Sequence, residues 1–379
     1  SNNKLGTKNI FDNDFEKKLW TEGSPVSLRI DSEIIGLGAT FKYNNWGFGL
    51  LFKSNIKMAV TDIDSKLGNA IINGSNDISV ISNLLNVQEN QRINATVWSE
   101  IGASASRVVF QNEAHSLSIG GTLKLLIPAS YVNFGLSNLN ARLNSNTTSD
   151  VLANARGNIN IAYSGNLAND FTNSSNYTQS ILGKPNGIAV DFGTAYQMTD
   201  DEGNNKFIVS ATVRNIGSLN FSDSNSKNKN YILNGTNINL GNYNNINNFE
   251  NLEKKLISDG HLTLSNSEDI NVNLPTTFNL MASAKLFSKF HASINLQQKL
   301  NESKNNDQIS SVNFITVTPK LVFKNFELFL PLSNNEIVDF TGGFGLRAGG
   351  FYIGSGSVLS ALIANTKQMD LFFGFSVGL

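Results

Sequence analysis

The sequence predicts an all-β fold, a transmembrane antiparallel β-barrel of about fourteen strands, with about sixteen as the other even count. Three observations carry that expectation. The first is a period of two in which one face is large and apolar while the other is small or polar. At Gly187 to Gln197, Ile188, Val190, Phe192, Thr194 and Tyr196 alternate with Ala189, Asp191, Gly193, Ala195 and Gln197. A strand with lipid outside and a packed or watery interior needs that alternation. The second is composition: 25 Phe and 31 Gly against 6 Pro, 40% hydrophobic residues and a mean hydropathy of -0.15. Barrel strands average their two faces to such middling values. The third is that no run approaches the roughly 18 consecutive apolar residues of a membrane helix.

Residues 1–24 open with Ser1-Asn2-Asn3 and lack a basic-then-apolar leader, so they read as an N-terminal extension from which an export signal has already been removed. Residues 25–379 read as the barrel. Ile35, Leu37, Ala39, Phe41 and Tyr43 alternate with small or polar residues, and Phe48 to Ala59 follows after a tight turn. A helical insertion is expected over about 61–93, where Ile63, Leu67, Ile71 and Ile72, then Ile78, Ile81, Leu84 and Leu85, stand near helical spacing. Strands are then expected at Ala95 to Phe110, Ser116 to Ile127, Tyr131 to Leu143, Ala153 to Tyr163, Gly187 to Gln197 and Phe207 to Phe221. Residues 223–273 form a long Asn-rich segment, expected as an extracellular loop with a short amphipathic helix at Phe249 to Ile257. The series resumes at Phe278 to Leu286, His291 to Leu300, Ser311 to Phe323, Phe326 to Leu332, Phe340 to Ala348, Phe351 to Val358 and Leu371 to Leu379.

Composition narrows function. With 29 basic and 30 acidic residues the net charge is -1, which offers no field for nucleic acid. Without cysteine, and with only His115, His261 and His291 scattered along the chain, a disulfide framework, a thiol nucleophile or a zinc cluster is not expected. No metal, no cofactor and no enzymatic activity are expected. The glycine runs at Gly342 to Gly345 and Gly349 to Gly356 lack the Lys-Ser or Lys-Thr of a phosphate loop and suit strand curvature instead. Asp62 with Asp64, and Asp200, Asp201 and Glu202, read as solvated turns rather than a calcium site.

Two sets of candidate residues follow from the alternation. Lys42, Lys53, Lys124, Asp191, Lys285, Asp339 and Arg347 share faces with Gly, Ser or Asn and are expected in the lumen, cations paired with acids such as Asp191, Asp339 and Glu100. Tyr43, Trp46, Trp98, Tyr131, Tyr196 and Tyr352, with Phe41 and Phe134, are expected in the aromatic girdles at the membrane interfaces.

Trp98 to Arg107, His115 to Lys124, Gly187 to Gly193 and Leu274-Pro275-Thr276-Thr277-Phe278, taken in order, resemble the FadL/PorV-like barrels of the Bacteroidota outer membrane. They resemble more closely an uncharacterised barrel family there that often continues into a C-terminal OmpA-like domain. The resemblance covers most of the chain from about Val26 and implies a bacterial outer-membrane location; no catalytic residue is carried over. Residues up to Leu379 do not include such a domain, and peptidoglycan binding is not expected of them. The leading expectation is a subunit or scaffold of a larger envelope complex, in protein secretion or outer-membrane protein assembly, with outer-membrane lipid or lipopolysaccharide and envelope proteins as partners. The alternatives are a channel or transporter for small or hydrophobic substrates, and a soluble β-sandwich surface adhesin.

Overall fold

The computed structural model describes residues 25–68, 83–145, 150–168, 184–200, 203–222, 226–243, 246, 248–302, 304–363 and 367–377. The expected 1–24 extension and residues 69–82 of the expected 61–93 helix lie outside them; of the rest of that span, residues 65–68 are helical, while 61–63, 83–87 and 91–93 are strand. The strands are β1 (Val26–Tyr43), β2 (Trp46–Ile63), β3 (Asn83–Val87), β4 (Gln91–Gln111), β5 (His115–Ser145), β6 (Asp150–Ser164), β7 (Gly187–Thr199), β8 (Asn205–Phe221), β9 (Asn228–Asn239), β10 (Leu262–Glu268), β11 (Ile270–Asn273), β12 (Thr277–Phe287), β13 (Phe290–Lys299), β14 (Phe314–Val322), β15 (Phe326–Phe329), β16 (Leu332–Asn335), β17 (Asp339–Gly342), β18 (Phe344–Ala348), β19 (Phe351–Ser355) and β20 (Phe372–Phe375). Two α-helices that lie wholly within the described residues accompany them, α1 (Phe249–Ser258) and α2 (Val358–Ile363).

Among the described residues all the strands belong to one antiparallel sheet of 20 segments rather than fourteen strands, and no second sheet stacks on it as in a sandwich. The wall runs β1, β2, β4, β5, β7, β8, β12, β13, β14, then the β15/β16 line, the β17/β18 line, β19 and β20. Pro331, which has no N–H to give, interrupts the β15/β16 line. Among the described residues no pairing joins β1 to β20.

The sheet nevertheless curls strongly, as chain lengths require. From β1 to β14 the wall takes eight inter-strand steps, about 38 Å if flat at ~4.8 Å each. Arg29 of β1 donates through Nη2 to the carbonyl of Ser310 at 3.0 Å. Ser310 stands four residues before β14, a reach of at most about 14 Å. The two meet only because the sheet wraps around the segment that precedes β14.

The convex face stays apolar and exposed: Ile30, Phe41, Leu50, Ile119, Leu123, Ile188, Phe192, Ile294, Phe344 and Phe373 lie on it, and no layer of the described residues covers them. One end carries the tight turns. Asn44 (φ 53°) and Ser288 (φ 35°) reverse the chain there in the left-handed region. Aromatic pairs cluster at the same end, with ring centroids 5.0 Å apart for Phe287 and Phe290 and 4.4 Å apart for Phe323 and Phe326.

The other end branches into a lobe. The sequence suggested two strands at Ser116 to Ile127 and Tyr131 to Leu143, but β5 runs unbroken for 31 residues through Pro128. β7 pairs with it only as far as Leu125 and β6 takes over at Tyr131. Pro128 sits in the gap between them, where a missing N–H costs no ladder bond. Beyond it β3, the far half of β5, β6, β9 and β10 form the lobe. The expected 223–273 loop therefore contributes three strands, β9, β10 and β11, besides its helix, and Leu84 and Leu85 belong to β3 rather than to a helix.

The lobe core joins Leu85, Leu139, Leu143, Ile161 and Leu233 to α1. Phe249, Leu252 and Leu256 recur on one side of α1 at helical spacing, and the Asn248 side chain caps it, accepting from the Asn251 N–H at 3.0 Å. Glu253 pins the same face. Its carboxylate accepts from the hydroxyls of Tyr163 (2.7 Å) and Tyr231 and from Lys229 Nζ at 2.8 Å. Burial, then the bonds to Glu253, pushes both phenols well above their usual range. Glu253→Ala leaves Lys229 and two hydroxyls without their common acceptor and is expected to loosen α1 by about 3 kcal/mol. Amide hydrogen exchange across α1 reads this directly.

Candidate functional site

On the concave wall six charges of alternating sign stand on six adjacent strands. Glu33 is on β1, Lys53 on β2, Glu100 on β4, Lys124 on β5, Asp191 on β7 and Arg214 on β8. Register builds the row. Lys53 lies directly opposite Glu100, and Lys124 lies two residues from Leu126, the partner of Glu100, so it reaches the same carboxylate diagonally. Lys53 Nζ is 3.1 Å from Glu33 and 3.3 Å from Glu100. Lys124 Nζ is 3.8 Å from Glu100 and 2.8 Å from Asp191, which Arg214 approaches at 4.0 Å.

A local irregularity sets the far end of this ladder. The β7–β8 register shifts between Val190 and Phe192, and Asn215 adopts φ 62°, as a bulge requires. Asn215 then donates its N–H to Asp191 at 2.7 Å while its Oδ1 accepts from Lys124 Nζ at 2.7 Å. Lys53, Glu100 and Lys124 are buried, whereas Glu33 and Arg214 at the ends are half exposed. Each buried ion has opposite charge on both sides, which offsets its desolvation. With three acids and three bases the row has no net charge, and it lines a cleft of about 230 Å³.

A second polar element crosses the concave side of the wall. Between β13 and β14, residues 304–312 form a strap across to the opposite strands. Arg92 Nη2 donates to the Gln308 carbonyl at 2.6 Å and to Ser310 Oγ at 3.2 Å. The Tyr131 hydroxyl donates to the Asn306 carbonyl at 2.6 Å. Asn306 Oδ1 accepts from Asn90 at 2.8 Å and from Asn133 at 3.2 Å. Lys304 pairs with Glu89 at 2.8 Å and Asp62 at 3.3 Å. Hydrogen bonding to Glu89, before any other influence, raises the Lys304 ammonium above its usual range. The amide row continues into the lobe, where Asn133 donates to Asn160 (2.7 Å) and Asn160 to Asn228 (2.6 Å) and Asn230 (2.9 Å).

Of the charges expected in the lumen, Lys53, Glu100, Lys124 and Asp191 meet in the ladder. Lys42, Lys285, Asp339 and Arg347 do not join it, because each stands near a turn, beyond the reach of the row. Lys42 is exposed one residue before the end of β1, Asp339 is exposed at the start of β17, Lys285 is 3.5 Å from Asp200, and Arg347 is 3.7 Å from Glu327. Of the expected interfacial aromatics, Tyr43 and Trp46 are exposed at the tight-turn end, with Arg107 over the Trp46 ring at 5.4 Å. Tyr196 stands at that end too, its hydroxyl 2.7 Å from His115 Nδ1. Trp98 and Tyr131 are not interfacial. They are buried where the lobe branches, among Leu126, Phe221 and Ile309. Tyr352 lies against Gly374 on the inward side, out of phase with exposed Phe351 and Ile353. Among the described residues no three His, Asp or Glu side chains gather as a metal site.

The family described as "Family of unknown function (DUF5723)" matches residues 1–356. No curated protein matches the chain. Among solved structures, the toluene transporter TbuX of Ralstonia pickettii is similar, with a TM-score of 0.34 and 8% identity, over 87% of this chain and 82% of that one.

Proposed function

We propose that this chain, which belongs to the DUF5723 family of unknown function, is an integral outer-membrane β-barrel, closed at rest, that serves as a subunit or scaffold of an envelope complex. The observation that carries the membrane reading is the uncovered apolar band of the convex face. A soluble monomer does not leave so large a contiguous surface in water, and lipid is the solvent that fits it. Short turns with aromatics at one end and a large polar lobe at the other suit a barrel with periplasmic turns and an extracellular lobe. The closed interior favours a scaffold over an open pore, since the strap and the self-paired ladder occupy the path that a porin leaves to water.

Two results are expected of the purified full chain. It remains in the detergent phase and gives no steady current in a planar bilayer. Extracted gently from its native membrane, it also co-purifies with envelope proteins at fixed stoichiometry. A chain that runs alone and conducts steadily would replace the scaffold with a channel.

A further inference from the structure

We propose that residues 304–312 are a displaceable plug, and that the barrel passes small hydrophilic solutes when the plug is unseated. The proposal rests on the membrane-barrel reading and adds a gated passage to it. The seat satisfies its own polar groups incompletely. Arg92 is fully buried, yet its Nε and Nη1 have no partner among the described residues. Asn90 Oδ1 and Asn133 Oδ1 are also buried without partners. Each of these groups is costly beneath the strap and satisfied by water once the strap leaves. Seating thus carries a penalty that unseating relieves, as a reversible closure requires.

The walls behind the strap suit hydrophilic cargo. A cleft of about 250 Å³ beside Asn306 is lined mostly by Ser and Asn, among them Ser137, Asn158, Asn160 and Asn230, with Ile159, Tyr231 and Ile232 also on its wall. The ladder cleft, on the same concave wall, is lined by charges that sum to zero. Amides and hydroxyls that both donate and accept, with balanced charge beyond, favour small polar solutes and ions of either sign over apolar ones.

One glycine shows how the strap is seated and how to unseat it. A Cβ placed on Gly135 of β5 would run into Asn306 Oδ1, with Asn306 Cγ at 3.0 Å. Gly135→Leu therefore fills the place of Asn306. The same spacing matches that of a Cβ and the far sulfur of a disulfide, and the chain has no other cysteine, so Gly135→Cys with Asn306→Cys should lock the strap.

The test is potassium chloride conductance of the full chain in planar bilayers, with heat-dependent gel mobility showing that each barrel is folded. Wild type is expected to be silent apart from rare brief openings. Gly135→Leu, and separately a chain with residues 304–309 replaced by four glycines, should raise the mean current at least tenfold with little preference for potassium or chloride. The oxidised cysteine pair should abolish the brief openings, and reductant should restore them. Folded variants of both unseating designs that stay as silent as wild type would overturn the plug while leaving the closed barrel standing. Steady wild-type current that the disulfide does not alter would overturn both.

Discussion

Lys124→Ala is expected to cost about 3–5 kcal/mol of unfolding free energy, the range for removing one partner from a buried ion network. Its ammonium is 2.8 Å from Asp191 and 3.8 Å from Glu100, and its side chain is only 5% exposed. Without it Asp191 keeps the Asn215 N–H and the more distant Arg214, while Glu100 keeps Lys53 alone. Both carboxylates stay behind in a poorly hydrated wall. The contrasting substitution is Glu33→Gln at the half-exposed end, expected to cost no more than about 1 kcal/mol and to lose that effect in high salt. Urea unfolding from lipid vesicles, at low and high ionic strength, separates the two. Equal costs at the two positions would mean that the centre of the row is as hydrated as its end.

The second large effect lies on the other face of the same strand. Leu123→Arg is expected to destabilise the barrel in vesicles by about 2–4 kcal/mol, the cost of a guanidinium facing lipid near the bilayer midplane. Leu123 is 59% exposed, so in a water-soluble sheet the same change would be close to neutral. The effect should decline toward the tight turns, where a long cationic side chain reaches the headgroups. A uniform, small effect along β5 would argue for a water-exposed sheet.

Much of the wall was legible because its strands obey one simple rule. In β1, β7 and β12 the apolar residues of one face are large and regular, so period two is visible without any knowledge of neighbours. The helix at Phe249 was also readable, since Asn248 is a good cap and its apolar residues recur at helical spacing. The lobe was not. In β9 the buried Tyr231, Leu233 and Ile238 are diluted by Asn and Gly, which have low strand propensity and read locally as loop. Trp98 and Tyr131 misled for another reason. Alternation says which face a residue takes, and at the branch point both faces are covered.

The ladder was legible except at its ends. Lys53, Glu100, Lys124 and Asp191 stand out as charges among small residues, but Glu33 precedes the clearest part of the β1 alternation, and Arg214 lies within a register shift that period counting cannot see. The strap left no signal of its own. Its Asn- and Ser-rich sequence is that of any polar loop, and its place comes from Arg92, Tyr131 and Asn133 more than 170 positions away.

The most direct measurement is a single-cysteine scan of Ser118 to Leu125 on β5, spin-labelled in lipid vesicles and read by collision with oxygen, which partitions into lipid, and with a water-soluble nickel complex. A membrane barrel gives high oxygen accessibility at Ile119, Gly121, Leu123 and Leu125 and low values at Ser118, Gly120, Thr122 and Lys124, with nickel low at the lipid-facing sites. Nickel accessibility as high as oxygen at Ile119 and Leu123, or no alternation at all, would contradict it.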